Sequence, residues 1–115
     1  MIPSVSFEHP DRNSLDISAV LHALSDPQRL GMVAELAVSE EPRPCGSFAP
    51  GISKSTRTHH FRVLREAGLI EQWKEGTCKM SRLRREDVDA RFPGLLDSVL
   101  AAGDRRISAS SVAHA

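Results

Sequence analysis

Apolar residues recur at helical spacing in two segments, one near each end of the chain. The first segment follows the i, i+3, i+4, i+7 pattern of an amphipathic helix, and the second forms a single stripe on a helix. The members are Ile17, Val20, Leu21 and Leu24 in the first segment and Leu95, Leu96, Val99 and Leu100 in the second. The pattern therefore predicts a first and a last helix, each with an apolar face to bury.

A second helix is predicted to begin at Ser25-Asp26-Pro27. Asp26 suits the N-cap because its carboxylate can accept backbone N–H groups, and Pro27 suits the first turn, where no backbone donor is lost. Apolar residues then line one face, namely Leu30, Val33, Ala34 and Ala37. The next stretch, EEPRPCGSFAPG at 40–51, contains three prolines and two glycines. Any helix there is expected to be short.

The stretch SKSTRTHHFRVLREAGLI at residues 53–70 has a polar first half and an apolar second half. Ser53 is a suitable N-cap, and Gly68 stands where a helix C-cap favours a residue that tolerates positive φ. The C-terminal half carries the apolar anchors Phe61, Val63, Leu64 and Ala67. The N-terminal half is therefore predicted to stay free for contact with another molecule.

Residues 69–84, LIEQWKEGTCKMSRLR, are typical of two short strands joined by a turn at Glu75-Gly76-Thr77. REDVDARF then begins a helix that Pro93 interrupts, because the residue before a proline is pushed away from α conformation. The order of elements is that of a winged helix-turn-helix, a mainly α fold with a two-stranded β-wing. Such modules place the N-terminal residues of a recognition helix against base edges in the major groove of DNA.

These elements fit one domain over residues 14–103. Residues 1–13 carry two prolines and little pattern, which predicts a flexible N-terminal arm. Residues 104–115 are predicted to form a disordered tail. No apolar run approaches the roughly 20 residues needed to cross a bilayer, and the N-terminus lacks the pattern of a secretory signal. A soluble cytoplasmic protein is therefore expected.

Charge is distributed unevenly along the chain, although the 115 residues have a net charge of zero. Residues 1–52 carry −4, residues 53–85 carry +6 and residues 86–115 carry −2. The positive block contains the polar half-helix and the predicted wing, which indicates a footprint for a polyanion. The main alternative is a winged helix used for protein–protein contact, which would not need this surplus of charge.

Three motifs resemble the ArsR family of bacterial winged-helix transcriptional regulators. LSDPQRL at 24–30 is similar to the family's L-x-D-P-x-R-L. Residues 53–70 are similar to its recognition helix, S-x-S-T-x-S-H-H-L-x-x-L-x-x-A-G-L-V, and EQWKEGTCKMSRL at 71–83 is similar to its wing. Together the motifs cover residues 15–100.

The resemblance implies a homodimer that binds a pseudo-palindromic operator in double-stranded DNA and represses transcription. The interface would be formed by the two apolar stripes, Ile17, Val20, Leu21, Leu24, Leu95, Leu96, Val99 and Leu100. The residues expected to contact DNA are Lys54, Ser55, Thr56, Arg57, Thr58, His59, Arg62, Lys74, Lys79 and Arg82. Hydroxyl and imidazole groups can bond base edges or phosphates, whereas the wing cations and Arg62 suit phosphates.

Arg57 stands where the family usually has an apolar residue that packs inward. It lies one turn before Phe61, so its stem can pack while its guanidinium reaches the surface. Two interpretations follow, a plain surface arginine and an additional DNA contact.

The metal-binding motifs of the family are missing from this sequence. Arsenic- and cadmium-type members carry C-x-C before the recognition helix, whereas EPRPCGSFAPG has Cys45 alone, and soft metals generally need more than one thiolate. The zinc-type site needs Asp and His on the last helix, and residues 85–106 contain no histidine. We therefore expect no metal and no other cofactor, and leave open an effector of unknown identity.

The pair His59-His60 is not expected to hold a metal either, because adjacent side chains diverge on a helix. His59 is expected to face DNA and His60 to pack beside the short helix expected around Cys45 to Ala49. Cys45 and Cys78 leave open a thiol redox switch, or two unrelated thiols. No phosphate loop, nucleophile motif or carboxylate cluster supports an enzyme.

Overall fold

The computed structural model describes residues 5–48 and 51–103, and five α-helices and four β-strands account for most of them. The helices are α1 (Ile17–Leu24), α2 (Pro27–Ala37), α3 (Lys54–Glu66), α4 (Arg85–Arg91) and α5 (residues 95–103). The strands are β1 (Val5–Ser6), β2 (Arg43–Pro44), β3 (Ile70–Glu75) and β4 (Cys78–Leu83). A 3₁₀ turn at Cys45–Ser47 stands where the sequence allows only a short helix.

The capping residues predicted from the sequence make the expected contacts. Asp26 Oδ2 accepts the backbone N–H groups of Gln28 and Arg29 at 2.9 and 3.0 Å, and Pro27 follows as the first residue of α2. Ser53 Oγ accepts the N–H of Thr56 at 3.2 Å at the start of α3. The N-terminal starts of both helices therefore follow from the local sequence.

Gly68 ends α3 with a φ of +86°, as the C-cap pattern predicts. A Cβ at this position would also collide with Cδ2 of Leu15, a buried residue before α1. Two independent constraints, the left-handed backbone and the close approach of Leu15, thus require glycine here.

β3 and β4 form the predicted wing, an antiparallel hairpin with Trp73 opposite Met80 and Lys74 opposite Lys79. Gly76 has a φ of +63° in the turn. The sheet extends beyond the predicted pair, because β1 pairs with β3 and β2 pairs with β4, giving the order β1-β3-β4-β2. Each added strand has two residues, and Pro44 in β2 is compatible with a strand only at an edge. Such short edge strands leave no alternating pattern to read.

The segment that precedes α1, which lies within the arm predicted over residues 1–13, contacts the domain. The Phe7 N–H donates to Gln72 O at 3.4 Å, and His9 Nε2 accepts the Gln72 N–H at 2.9 Å. Arg12 Nε lies 2.7 Å from Asp87 Oδ1 of α4. These partners are more than 60 residues away along the chain, so local pattern cannot reveal them. Residues 1–4 and the tail predicted over 104–115 lie outside the described residues.

The core lies between α1, α2, α3 and the sheet, where Phe48 packs edge-to-face on Phe61 with ring centroids 5.5 Å apart. Each of the two apolar stripes divides between core and surface. Val20, Leu24 and Leu96 are buried in the core of the protomer, whereas Ile17 and Leu21 are 41% and 47% exposed. Leu95, Val99 and Leu100 are half-buried. None of the helices within the described ranges is long and apolar enough to cross a membrane.

Candidate nucleic-acid interface

The first half of α3 presents polar side chains to solvent. Its exposed residues are Lys54, Ser55, Thr56, Thr58 and His59. The second half is held by Phe61 and Leu64, which are buried against α1, α2 and the sheet. The division between an exposed polar half and a buried apolar half agrees with the sequence.

Two of the exposed hydroxyls take part in the N-terminal cap of α3. Ser53 Oγ donates to Thr56 Oγ1 at 2.9 Å and lies 3.3 Å from Ser55 Oγ. The serine and threonine at the start of the helix therefore have defined positions before any partner arrives. Thr58 and His59, one turn further along, face outward on the same helix.

His60 packs against the start of α2, whereas the sequence predicts contact with the short helix expected around Cys45. Its Nε2 lies 2.8 Å from Gln28 Oε1, and its Nδ1 lies 3.3 Å from Arg29 Nη1. Arg29 is itself buried and donates from Nε to Ala23 O at 2.7 Å and from Nη2 to His22 O at 3.2 Å. A buried polar network thus joins α3 to α2 and to the end of α1.

The network defines the protonation of His60. A guanidinium has only donors, so Nδ1 of His60 accepts from Arg29, and the proton on Nε2 is donated to Gln28 Oε1. Burial lowers the pKa of His60 below 6.5, and the Arg29 charge acts in the same direction, whereas Asp26 at 3.9 Å opposes them. His60 is therefore held as the neutral Nε2–H tautomer.

The wing contributes cations of two kinds. Lys74 and Lys79 face each other across β3 and β4, are exposed, and take part in no ion pair among the described residues. Arg82 lies 2.7 Å from Glu71 Oε2, with its guanidinium 5.8 Å from the centroid of Trp73. Arg62 of α3 resembles Arg82 in having a nearby acid, since its Nε is 4.0 Å from Glu66 Oε1.

Helix and wing flank a common cleft of about 360 Å³. Lys54, Arg57 and Thr58 line it from α3, and Thr77, Cys78 and Lys79 line it from the wing. Of the residues proposed from sequence, the cleft brings together Lys54, Arg57, Thr58 and Lys79, while Lys74 and Arg82 lie elsewhere on the wing.

Arg57 is half-buried in the wall of this cleft, with Nη1 at the long distance of 3.5 Å from Phe48 O. Arg65, which is not among the DNA contacts predicted from the sequence, occupies the same wall. It donates from Nη1 to Gln72 Oε1 at 2.6 Å, and its guanidinium lies 4.9 Å from the ring centroid of Phe7. The sequence pattern that could have predicted this position of Arg65 is the i, i+4 spacing of Arg57, Phe61 and Arg65, which places all three on one helix face.

The two cysteines differ in environment although both line the cleft. Cys45 is buried, with Sγ 3.0 Å from Ser81 Oγ and 3.3 Å from Gln72 Nε2, and Cys78 is exposed. Both are free thiols. Within residues 5–48 and 51–103, no group of three or more His, Cys, Asp or Glu side chains is arranged to hold a metal ion.

Comparisons with known proteins agree with this architecture. A family model described as a helix-turn-helix domain matches residues 24–72, which contain α2, α3 and the start of β3. The chain is 35% identical over 82 residues to the uncharacterized HTH-type transcriptional regulator YceK of Bacillus subtilis (strain 168), covering 70% of this chain and 82% of that protein. An ArsR-like transcriptional regulator from Rhodococcus sp. RHA1 matches with a TM-score of 0.54 and 28% identity, covering 80% of this chain and 86% of that one.

The matched region contains the exposed half of α3 and the residues that hold it in place. Both relatives are named as transcriptional regulators, a class of DNA-binding proteins that are not enzymes. The chain is a transcriptional regulator with a helix-turn-helix DNA-binding domain, and it belongs to the ArsR-like family.

Proposed function

We propose that the protein is a cytoplasmic, dimeric repressor that binds a pseudo-palindromic operator through α3 and the wing. The observation that carries this proposal is the exposed polar half of α3 beside a wing with two lysines that form no ion pair within residues 5–48 and 51–103. The proposed DNA contacts are Lys54, Ser55, Thr56, Arg57, Thr58, His59, Arg62, Lys74, Lys79 and Arg82. The positions of Thr58 and His59 suit base edges, and the cations suit phosphates.

The dimer is proposed to form through α1 and α5. Ile17 and Leu21 are one turn apart and remain 41% and 47% exposed in the protomer, and Leu95, Val99 and Leu100 of α5 are half-buried. Exposed apolar residues at this spacing support an interface, because their burial on association removes apolar surface from water. A two-fold dimer would present two copies of α3 to the two halves of a palindromic site.

The decisive experiment is fluorescence anisotropy of a labelled duplex taken from upstream of the protein's own gene. The titration is repeated at several salt concentrations and against a scrambled duplex. The proposal predicts tighter binding to the native duplex and a steep loss of affinity with salt, because cations that contact phosphates release counterions. Equal, weak and salt-insensitive binding to both duplexes would favour a winged helix that contacts proteins.

A signal other than a metal ion is proposed to relieve repression. The support is the lack of the C-x-C motif before α3 and of histidine in residues 85–106. Operator binding is expected to persist when the protein is saturated with zinc or with a thiophilic metal. Release of the operator by either metal would contradict this part of the proposal.

A further inference from the structure

The cleft between α3 and the wing concentrates positive charge. Four cationic side chains line it, namely Lys54, Arg57, Arg65 and Lys79, and the lining residues include no carboxylate within the described part of the chain. Within the described part of the chain, none of these four side chains forms an ion pair, whereas Arg62 and Arg82 lie close to glutamates. A cleft lined by charge of one sign focuses its field and attracts counter-ions.

Beneath the charges, the cleft has an apolar and internally bonded floor. Phe61 and Cys45 are buried there, and Phe7 completes the wall beneath Arg65. Gln72 is 2% exposed, and its amide is bonded on both sides, to Arg65 Nη1 at 2.6 Å and to Cys45 Sγ at 3.3 Å. Since the polar groups of the floor already have partners, an apolar body can lie on it without leaving them unsatisfied.

The size of the cleft and the residues that line it together define the class of ligand that fits. The volume of about 360 Å³ is at the lower end of the range for small-molecule sites, roughly 300–1,000 Å³. A bare phosphate would satisfy the cations but offers no apolar surface to cover Phe61 and Phe7. A flat organic acid satisfies the cations and also covers the aromatic floor. Guanidinium groups bind its carboxylate in a fork geometry and stack on its aromatic ring.

We propose that this cleft binds a small organic anion with a flat apolar body, and that the bound anion excludes DNA. The second half of this inference rests on the proposed function. Lys54, Thr58 and Lys79 line the cleft and are also proposed DNA contacts. An anion held between them would neutralise the charge that attracts phosphates and would occupy the space between helix and wing. The cleft thus supplies an effector site on the DNA-binding face itself.

The test uses 2-naphthoate as a probe and its neutral isostere 2-naphthamide as the matched control ligand. Each is titrated into the ¹⁵N-labelled full chain without DNA, and amide shifts are followed by NMR. Naphthoate is expected to shift the amides of Gly46, Thr77 and Cys78 selectively, and naphthamide to bind at least about tenfold more weakly, because it lacks charge-assisted hydrogen bonds. Equal binding of the two compounds, or shifts spread over the whole surface, would overturn the assignment.

Two variants with the same change of charge locate the site. Arg65→Gln removes a cation from the wall of the cleft, and Arg62→Gln removes one three residues earlier on α3, outside the cleft. We expect Arg65→Gln to weaken naphthoate by about tenfold and Arg62→Gln to leave it unchanged, since only the former loses a charge-assisted contact. Circular dichroism verifies that both variants fold. An equal loss in both would show that the probe senses net charge only and would overturn the proposal.

Competition with DNA tests the regulatory half separately. Naphthoate, but not naphthamide, is expected to displace the labelled operator from the wild-type protein, with about tenfold more required for Arg65→Gln. Binding at the cleft without displacement would overturn the exclusion of DNA and leave the proposed repressor function intact. If the protein binds no duplex specifically, the proposed function fails, while the NMR titration still decides whether the cleft takes an organic anion.

Discussion

Arg29 Nη1 lies 3.3 Å from Nδ1 of His60, across 31 residues of sequence and between two helices. The contact fastens α3, whose first half faces solvent, to the N-terminal turn of α2. Because Arg29 also bonds the carbonyl oxygens of Ala23 and His22, three helices meet at one guanidinium. The position of α3 therefore depends on this buried polar network as well as on the apolar contacts of Phe61 and Leu64.

Substitution of His60 is expected to loosen this network. His60→Ala leaves the buried Nη1 of Arg29 and the amide of Gln28 without a partner, which costs about 1–3 kcal/mol in free energy of unfolding. Urea denaturation measures the change. The matched control is His59→Ala, since His59 is exposed and its loss should change stability by no more than about 0.5 kcal/mol. Equal stability of the two variants would contradict a structural role for the network.

Stability is expected to fall as the solution becomes mildly acidic. Burial holds the pKa of His60 below 6.5, and burial likewise lowers the pKa of His9, which accepts the N–H of Gln72. The unfolded chain therefore binds more protons than the folded one as pH drops below about 6.5. The contribution of these two histidines to the free energy of unfolding is complete above that pH. It is lost as the pH falls towards their lower pKa values in the folded protein.

The measurement is a series of urea denaturations between pH 7.5 and 5. His60→Gln, which removes one of the two groups, should give a shallower loss than the wild type over this window. If the stability of the wild type rises on acidification, the two histidines cannot both have lowered pKa values in the folded protein, and the prediction is wrong.

The lysines and the arginine of the wing are expected to differ in their effect on DNA binding. Lys74→Ala should weaken binding to all duplexes and lower the salt slope by about one unit, because an unpaired cation that contacts a phosphate is lost. Arg82→Ala should change the slope less, since Glu71 already lies 2.7 Å from its guanidinium. Anisotropy titrations at four salt concentrations compare the two. A loss confined to the operator sequence would show that Lys74 reads bases.

Leu21 provides a test of the dimer that does not disturb the protomer. Leu21→Glu places a charge on the exposed stripe of α1 and should convert the proposed dimer to a folded monomer, because a charge at the centre of an apolar interface is costly. Sedimentation velocity measures the oligomeric state, and circular dichroism the fold. Val38→Glu is the control, since Val38 is 85% exposed and outside the proposed interface. A dimer that survives Leu21→Glu would exclude this face.

Two glycines are expected to respond to alanine in opposite directions. Gly68→Ala should destabilise the protein by about 1–3 kcal/mol or more, because of its φ of +86° and the clash with Leu15. Gly31→Ala should stabilise it by roughly 0.5–1 kcal/mol, since Gly31 is inside α2 and a Cβ there meets no heavy atom within 4 Å. Thermal denaturation of both variants checks the signs. A neutral Gly68→Ala would contradict both the strain expected at this φ and the close approach of Leu15.

Features that depend on near neighbours along the chain can be predicted from the amino-acid sequence alone. Asp26 and Ser53 as caps, Gly68 as the end of α3, the Gly76 turn and the polar first half of α3 are all local, because hydrogen bonds and φ preferences within one turn decide them. The similarity of residues 24–30 and 53–70 to a known family comes from the same segments.

Tertiary packing determines which residues distant in sequence meet. It paired β1 with β3, placed His60 against α2, and set Arg65 beside Gln72 in the cleft. It also divided one apolar stripe between Val20 in the core and Leu21 at the surface. Helical periodicity shows which residues share a face but not which neighbour covers them, because burial depends on packing between distant segments.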